Sequence, residues 1–160
     1  MKRSNLKVIL VIVFLVLVGL VVVLLAQGND SETENSETWQ LVKVVDGDTI
    51  DVSNSAGAVT RIRPVGINTP ERGQCGFTEA TQKLKELIGN QEIILEFAGT
   101  DDVDKFGRLL RYIEVGGEDV GLSLIQAGHA NAAYDSRTGY PKHFREDSYI
   151  AADSASKDFC

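Results

Sequence analysis

Cysteine and histidine are scarce, with two of each in 160 residues. Cys75 and Cys160 lie far apart, and no second cysteine pair or histidine cluster accompanies them, which excludes the usual zinc sites. Basic residues are also in deficit, 16 Lys and Arg against 23 Asp and Glu. Setting aside Lys2, Arg3 and Lys7 at the amino-terminal end leaves 13 against the same 23, a formal charge of −10 for the rest. Tight non-specific binding to a polyanion draws on Lys and Arg contacts with phosphate. This balance therefore argues against a passive nucleic-acid scavenger and only weakly against an enzyme. Internal repeats are absent.

One long apolar run is present. Residues 8–26 carry no charge and one Gly, close to the ~20 residues that cross ~30 Å of hydrocarbon. Lys2, Arg3 and Lys7 precede it, and Asp30, Glu32, Glu34 and Glu37 follow. The positive-inside bias makes 1–7 a cytoplasmic basic segment, 8–26 a transmembrane signal anchor, and everything beyond extracellular. The rival is a signal peptide cleaved to release a secreted protein. Its apolar region is usually ~7–15 residues with a small-residue exit, unlike Leu24-Leu25-Ala26. A buried soluble helix is the third reading. No Cys sits near the run, so lipid attachment has no support. Residues 27–38 are polar and acidic and read as a flexible linker. That leaves 39–160, enough for one core and too little for two. In an exported protein an even pair of cysteines most simply forms one disulfide, here Cys75–Cys160.

The pattern within 39–160 is mainly β. Residues 40–45 and 49–52 alternate around the turn Asp46-Gly47-Asp48, and 59–67 form a third strand with Val59, Arg61, Arg63 and Val65 on one face. Pro64 hints at an edge or bulge. Residues 78–88 have a helical stripe of Ala80, Leu84, Leu87 and Ile88, ended by Gly89. Strands follow over 91–97 and 109–115, the latter closed by Gly116-Gly117 into 118–120. A short helix over 121–127 and a weaker one over 144–156 complete the chain. Five strands and about three helices in this order predict an α+β, mainly β fold, a five-stranded barrel of the oligonucleotide-binding (OB) type.

Several residues could carry chemistry. Asp46-Gly47-Asp48-Thr49 sets two carboxylates around a Gly, oxygen ligands that suit a hard cation; on its own such a turn usually only reverses the chain. Arg61 and Arg63 need a partner or a task, and a guanidinium can grip phosphate bidentately. The bland alternative is an edge-strand charge that discourages aggregation. Glu71 follows that strand in Asn68-Thr69-Pro70-Glu71 and could hold a water near whatever the arginine grips. Arg108 ends Asp104-Lys105-Phe106-Gly107-Arg108, a second arginine at a loop–strand junction. Tyr134 could stack on a base or simply pack beside the core. Together Asp48, Arg63, Glu71 and Arg108 supply a metal ligand, two phosphate clamps and a candidate base, the parts that hydrolysis at phosphorus needs.

These motifs, with Gly128-His129-Ala130 running on to Tyr134, resemble the staphylococcal nuclease family in order and spacing. The resemblance implies an OB barrel cleaving DNA and RNA with Ca²⁺. It implies Asp48, Asn68 and the Thr69 carbonyl as calcium ligands, and Arg63 and Arg108 as the phosphate-gripping pair. Glu71 would orient or deprotonate the attacking water, and Lys105, Phe106 and Tyr134 would contact substrate. Asn68 stands where the staphylococcal enzyme has a second Asp, which predicts weaker calcium binding. Phe106 keeps stacking but lacks a hydroxyl, and Ser136 replaces a further aromatic. Past Tyr134, 135–140 has no counterpart. The expectation is a membrane-tethered extracellular endonuclease of broad specificity, with DNA and RNA as partners, the membrane held through the anchor, and no obligate protein partner. The alternative is a catalytically inactive OB module binding single-stranded nucleic acid or a protein partner.

Overall fold

The computed structural model describes Val13, residues 37–157 and Cys160. The chain divides into two units, Met1–Asn35 and Ser36–Cys160, and the hydrophobic core belongs to the second. Apart from Val13, the expected anchor over 8–26 lies outside the described residues, as does the expected linker up to residue 36. Among the described residues no helix is long and apolar enough to cross a membrane.

Eight strands are formed among the described residues: β1 (Thr38–Asp46), β2 (Thr49–Ser53), β3 (Val59–Pro64), β4 (Ile67–Asn68), β5 (Ile93–Phe97), β6 (Leu109–Val115), β7 (Glu118–Asp119) and β8 (Asn131–Ala132). The helices of this unit are α1 (Phe77–Ile88), α2 (Val120–Gln126) and α3 (Glu146–Ala155). The main sheet runs β3-β2-β1-β5-β6-β7, and a further pairing of β3 with β6 closes the first five members into a ring. That closing pair is parallel, Ile62 to Leu109 through Pro64 to Arg111, while its neighbours are antiparallel. The result is the expected five-stranded barrel with three helices, and closure removes the exposed edges an open sheet would leave.

The barrel fills because alternate residues turn inward. Ile50, Val52, Ile62, Ile93 and Ile113 are fully buried, while Asp51 and Arg61 face outward as cross-strand partners. The apolar stripe of α1 behaves as its period requires, with Ala80, Leu84 and Ile88 buried and the helix packed on β1. In α3 the pattern holds less well: Tyr149 is buried but Ala155 is exposed. Asp119 caps α2 by accepting from the Leu122 N–H at 3.0 Å.

The strand expected over 59–67 is broken. β3 stops at Pro64, and β4 begins at Ile67 in a separate two-stranded sheet with β8. The break is at Gly66, whose φ of 77° favours glycine; an added Cβ would also meet His143 Nε2 at 2.4 Å. Nor is β3 an edge strand, since β2 and β6 flank it.

Cys75 and Cys160 form the expected disulfide, with Cα atoms 6.0 Å apart and a sequence separation of 85 residues. In the chain-entropy account a closed loop of that length stabilises the fold by about 4–5 kcal/mol.

Candidate active site

The turn between β1 and β2 is set by space. Register shifts in β1 fall between Leu41 and Lys43 and between Val44 and Asp46, re-aiming the end of the strand. The chain then reverses through Gly47 and Asp48. A Cβ on Gly47 would lie 2.7 Å from Thr69 Oγ1 and 2.9 Å from Ala80 Cβ, so only glycine lets the turn press against Thr69. That approach makes two hydrogen bonds: the Thr69 N–H and hydroxyl donate to Asp48 Oδ2 at 3.0 and 3.1 Å. Arg63 Nη2 stands 3.2 Å from the same oxygen. Asp48 Oδ1 has a longer contact, from the Thr49 hydroxyl at 3.5 Å.

Arg63 is 7 % exposed. The kink after Pro64 brings two carbonyls onto its guanidinium, which donates to Pro64 O at 2.8 Å and Ile67 O at 3.0 Å. These bonds use two of the five N–H donors, and Asp48 adds an ion pair. The Tyr134 ring lies over the guanidinium, 5.4 Å from its carbon. Tyr134 has φ 55°, the one positive-φ residue other than glycine among those described. Its hydroxyl donates to Asn68 Oδ1 at 3.1 Å. The β4–β8 ladder, Asn68 opposite Asn131, brings these two residues together.

Arg108 is held differently. Asp104 Oδ1 accepts from the backbone N–H groups of Phe106 and Arg108, both at 2.9 Å, and its Oδ2 accepts from Arg108 Nε at 2.6 Å. One carboxylate thus shapes the turn and aims the guanidinium. Burial opposes the charge on Asp104, but the bonds from Arg108 and Phe106 outweigh it and hold the carboxyl below its ordinary range. Arg108 also reaches Thr49 Oγ1 at 3.4 Å and lies 5.3 Å from the Phe106 ring, which is 71 % exposed.

Asp48, Arg63, Glu71 and Arg108 line one cleft of about 580 Å³, together with Lys105, Phe106 and Tyr134. Asn68 and Thr69 stand behind this wall, joined to it through Tyr134 and Asp48. Glu71 is exposed at the cleft, and its N–H donates to Gln74 Oε1 at 2.7 Å. Arg61 does not join. It pairs with Asp51 at 2.7 and 2.9 Å on the outer face, a solvent-screened surface ion pair. The hydrogen bond from Arg61 is the main reason the Asp51 carboxyl titrates below its ordinary value.

Asp46, the other carboxylate of the Asp46-Gly47-Asp48 turn, also lines the cleft, as do Asp101, Asp104 and Tyr140, which were not foreseen as site residues. The signal for Asp104 lay in its spacing, four residues before Arg108. Nothing in the sequence announces Tyr140, whose ring meets Tyr134 edge-on with centroids 5.4 Å apart.

The cleft lining holds five carboxylates (Asp46, Asp48, Glu71, Asp101 and Asp104) against three basic side chains, Arg63, Lys105 and Arg108. A phosphodiester entering it unaided would meet a net negative wall, and a divalent cation would cancel that excess. The atoms near Asp48 that could coordinate a metal, its own carboxylate and the Thr49 and Thr69 hydroxyls, are oxygens, which fits a hard cation. Among the described residues no three His, Cys, Asp or Glu side chains are grouped to hold a metal. An ion here would therefore depend on one or two carboxylates, amide and carbonyl oxygens, and water.

The profile of the staphylococcal nuclease homologue family matches residues 61–157. The chain belongs to that family. It is 36 % identical over 115 residues to the SPbeta prophage-derived endonuclease YokF of Bacillus subtilis (strain 168), covering 67 % of this chain and 38 % of the relative. Endonuclease YncB of the same organism is 35 % identical over 115 residues, 67 % of this chain and 54 % of its own length. Thermonuclease of Staphylococcus hyicus is 31 % identical over 106 residues, 62 % of each. The chain thus spans less than two thirds of the length of these relatives.

Proposed function

We propose that this protein is a calcium-dependent endonuclease that hydrolyses phosphodiester bonds of DNA and RNA, with its nuclease domain outside the cell. The observation that carries this reading is the convergence on one cleft of a carboxylate fixed from one side (Asp48), two oriented guanidiniums (Arg63 and Arg108) and an exposed carboxylate (Glu71). The names of the relatives, endonuclease and thermonuclease, support the same class of chemistry. The basic and then apolar amino-terminal sequence supports the tether, and the disulfide supports an oxidising compartment.

Asp48, with the Thr69 carbonyl and the Asn68 oxygen beside it, would hold the calcium, which when bound supplies positive charge against a non-bridging phosphate oxygen. Arg63 and Arg108 grip the scissile phosphate and stabilise the charge that grows on its oxygens in the transition state. Their cradles, Pro64 O with Ile67 O for one and Asp104 for the other, fix them before substrate arrives, so little reorganisation is needed. Glu71 orients or deprotonates the attacking water. Tyr134, Phe106 and Lys105 contact the nucleotides on either side. The acidic exterior leaves binding to this cleft rather than to a broad basic face.

The test is cleavage of plasmid and single-stranded DNA and of RNA by the purified protein, with calcium titrated against chelator. Calcium-dependent cleavage, reduced by about 10²-fold or more in a folded Glu71→Ala variant, is the expected result. A folded wild-type protein that leaves all three substrates intact at millimolar calcium would favour the inactive binding module instead.

A further inference from the structure

Glu71 sits on a segment, 71–75, that is exposed along its whole length. Within the turn Glu71 N–H donates to Gln74 Oε1 at 2.7 Å and Gln74 N–H to Glu71 O at 2.9 Å; one long bond, Phe77 N–H to Gln74 O at 3.4 Å, leads on to the helix. The Arg72 guanidinium lies over Phe77, at the start of the next helix. A turn with solvent-facing backbone bonds opens at little cost. A group that must handle one water molecule tolerates such freedom poorly, because misplacement by about 1 Å can cost ~10²-fold in rate.

The strongest tie that leaves the turn is covalent. Cys75, at the far end of the segment from Glu71, is bonded to Cys160. The bridge shares the wall of a cavity of about 160 Å³ with Pro70, Gly76, His129 and Asn131. Pro70 immediately precedes Glu71. Asn131 belongs to β8 and faces Asn68 across the β4–β8 ladder, and Asn68 holds the Tyr134 hydroxyl. The bridge and the ladder that orients Asn68 and Tyr134 thus border the same small cavity.

We propose that the Cys75–Cys160 disulfide is a positioning element for Glu71, so that turnover, and not stability alone, depends on it. This rests on the nuclease reading of the cleft and on Glu71 handling the water. The competing account makes the bridge a staple that raises the melting temperature and leaves chemistry untouched.

The two accounts part in the kinetics of the full chain, assayed well below the melting temperature of each protein on a short DNA substrate with calcium. For Cys160→Ala, kcat should fall about tenfold or more while KM changes less than about twofold. Reduced wild type and Cys75→Ala should match it. In a Glu71→Ala background, removing the bridge should cost no further rate, because nothing remains to be positioned. If the variants fold poorly, amide exchange in oxidised and reduced wild type gives the same information. Protection at Gln74 and Phe77 should drop about fivefold more than in α1, and a uniform change would overturn the proposal. Equal kcat with and without the bridge would overturn the positioning role alone. So would an undiminished loss in the Glu71→Ala background. Failure of bridged wild type to cleave at all would overturn the nuclease reading and this inference with it.

Discussion

Two charged clusters sit on this barrel, one closed and one open. In the closed cluster Arg145 faces Asp119 at 2.9 Å, Glu114 and Glu96, and stacks 4.4 Å over the Tyr112 ring. Burial works against its charge, yet the bonds to Asp119 and Glu114 win and push its pKa upward. Asp119 caps α2 and accepts the Tyr149 hydroxyl at 2.9 Å. Each charge in this group is spent on another part of the protein. The open cluster uses the same residue types otherwise. Arg63 keeps donors beyond those given to Pro64 O and Ile67 O, Asp48 keeps a lightly engaged oxygen, and Glu71 stands exposed, all on one cleft. Composition does not separate the two clusters. What separates them is which polar atoms are left over, and toward which space.

Four substitutions probe that contrast. The largest effect belongs to Arg63→Lys, which keeps the charge but loses the fork that spans Pro64 O, Ile67 O and a phosphate. Its kcat should fall about 10²–10³-fold in steady-state assays, with native circular dichroism. Arg145→Ala should do the reverse. Denaturant unfolding should show a loss of about 2–3 kcal/mol, because three carboxylates lose their partner, while kcat per folded molecule stays near wild type.

Asp104→Asn comes next. Asn still accepts the Phe106 and Arg108 N–H groups, so the turn survives, but the clamp on Arg108 Nε weakens; kcat should drop about tenfold. The smallest effect is in stability against pH. His143 is 1 % exposed, and its Nδ1 lies 2.8 Å from the Tyr112 hydroxyl, which also accepts the Arg145 N–H. Burial depresses its pKa, more than Glu146, Asp135, Asp119 and Asp147 raise it. Above the unfolded value of about 6.5 the imidazole is neutral in both states and its contribution is complete. As pH falls below that value the unfolded chain takes the proton first, and stability is lost down to the lower folded pKa. The slope is at most about 1.4 kcal/mol per pH unit. Melting temperatures between about pH 7.5 and about pH 5 should fall for wild type and flatten for His143→Gln.

Much of this was legible before folding. The barrel strands announce themselves because closure buries alternate residues, and period-two alternation survives in the sequence. The α1 stripe and the disulfide were legible for equally local reasons, a helical period and an even cysteine count. What escaped depends on long-range placement. The two-residue strands β4 and β8 are too short for any period, yet their pairing sets Asn68 against Tyr134. Residues 59–67 look like one strand, and only the packing of His143 on Gly66 reveals the kink that builds the Arg63 cradle. Arg61 and Arg63 look alike in sequence; cross-strand Asp51 claims one, and two backbone carbonyls claim the other.

The proposed function comes down to one statement to be tested: that the open cluster, and not the closed one, takes a cation for work on a phosphodiester. Calorimetric titration of calcium into the protein with a non-hydrolysable oligonucleotide puts this to the test, comparing wild type, Asp48→Asn and Glu114→Gln. One calcium should bind wild type and Glu114→Gln alike, and affinity should fall about tenfold or more in Asp48→Asn. Undiminished calcium binding by Asp48→Asn, or its loss in Glu114→Gln, would place the cation elsewhere and refute the assignment.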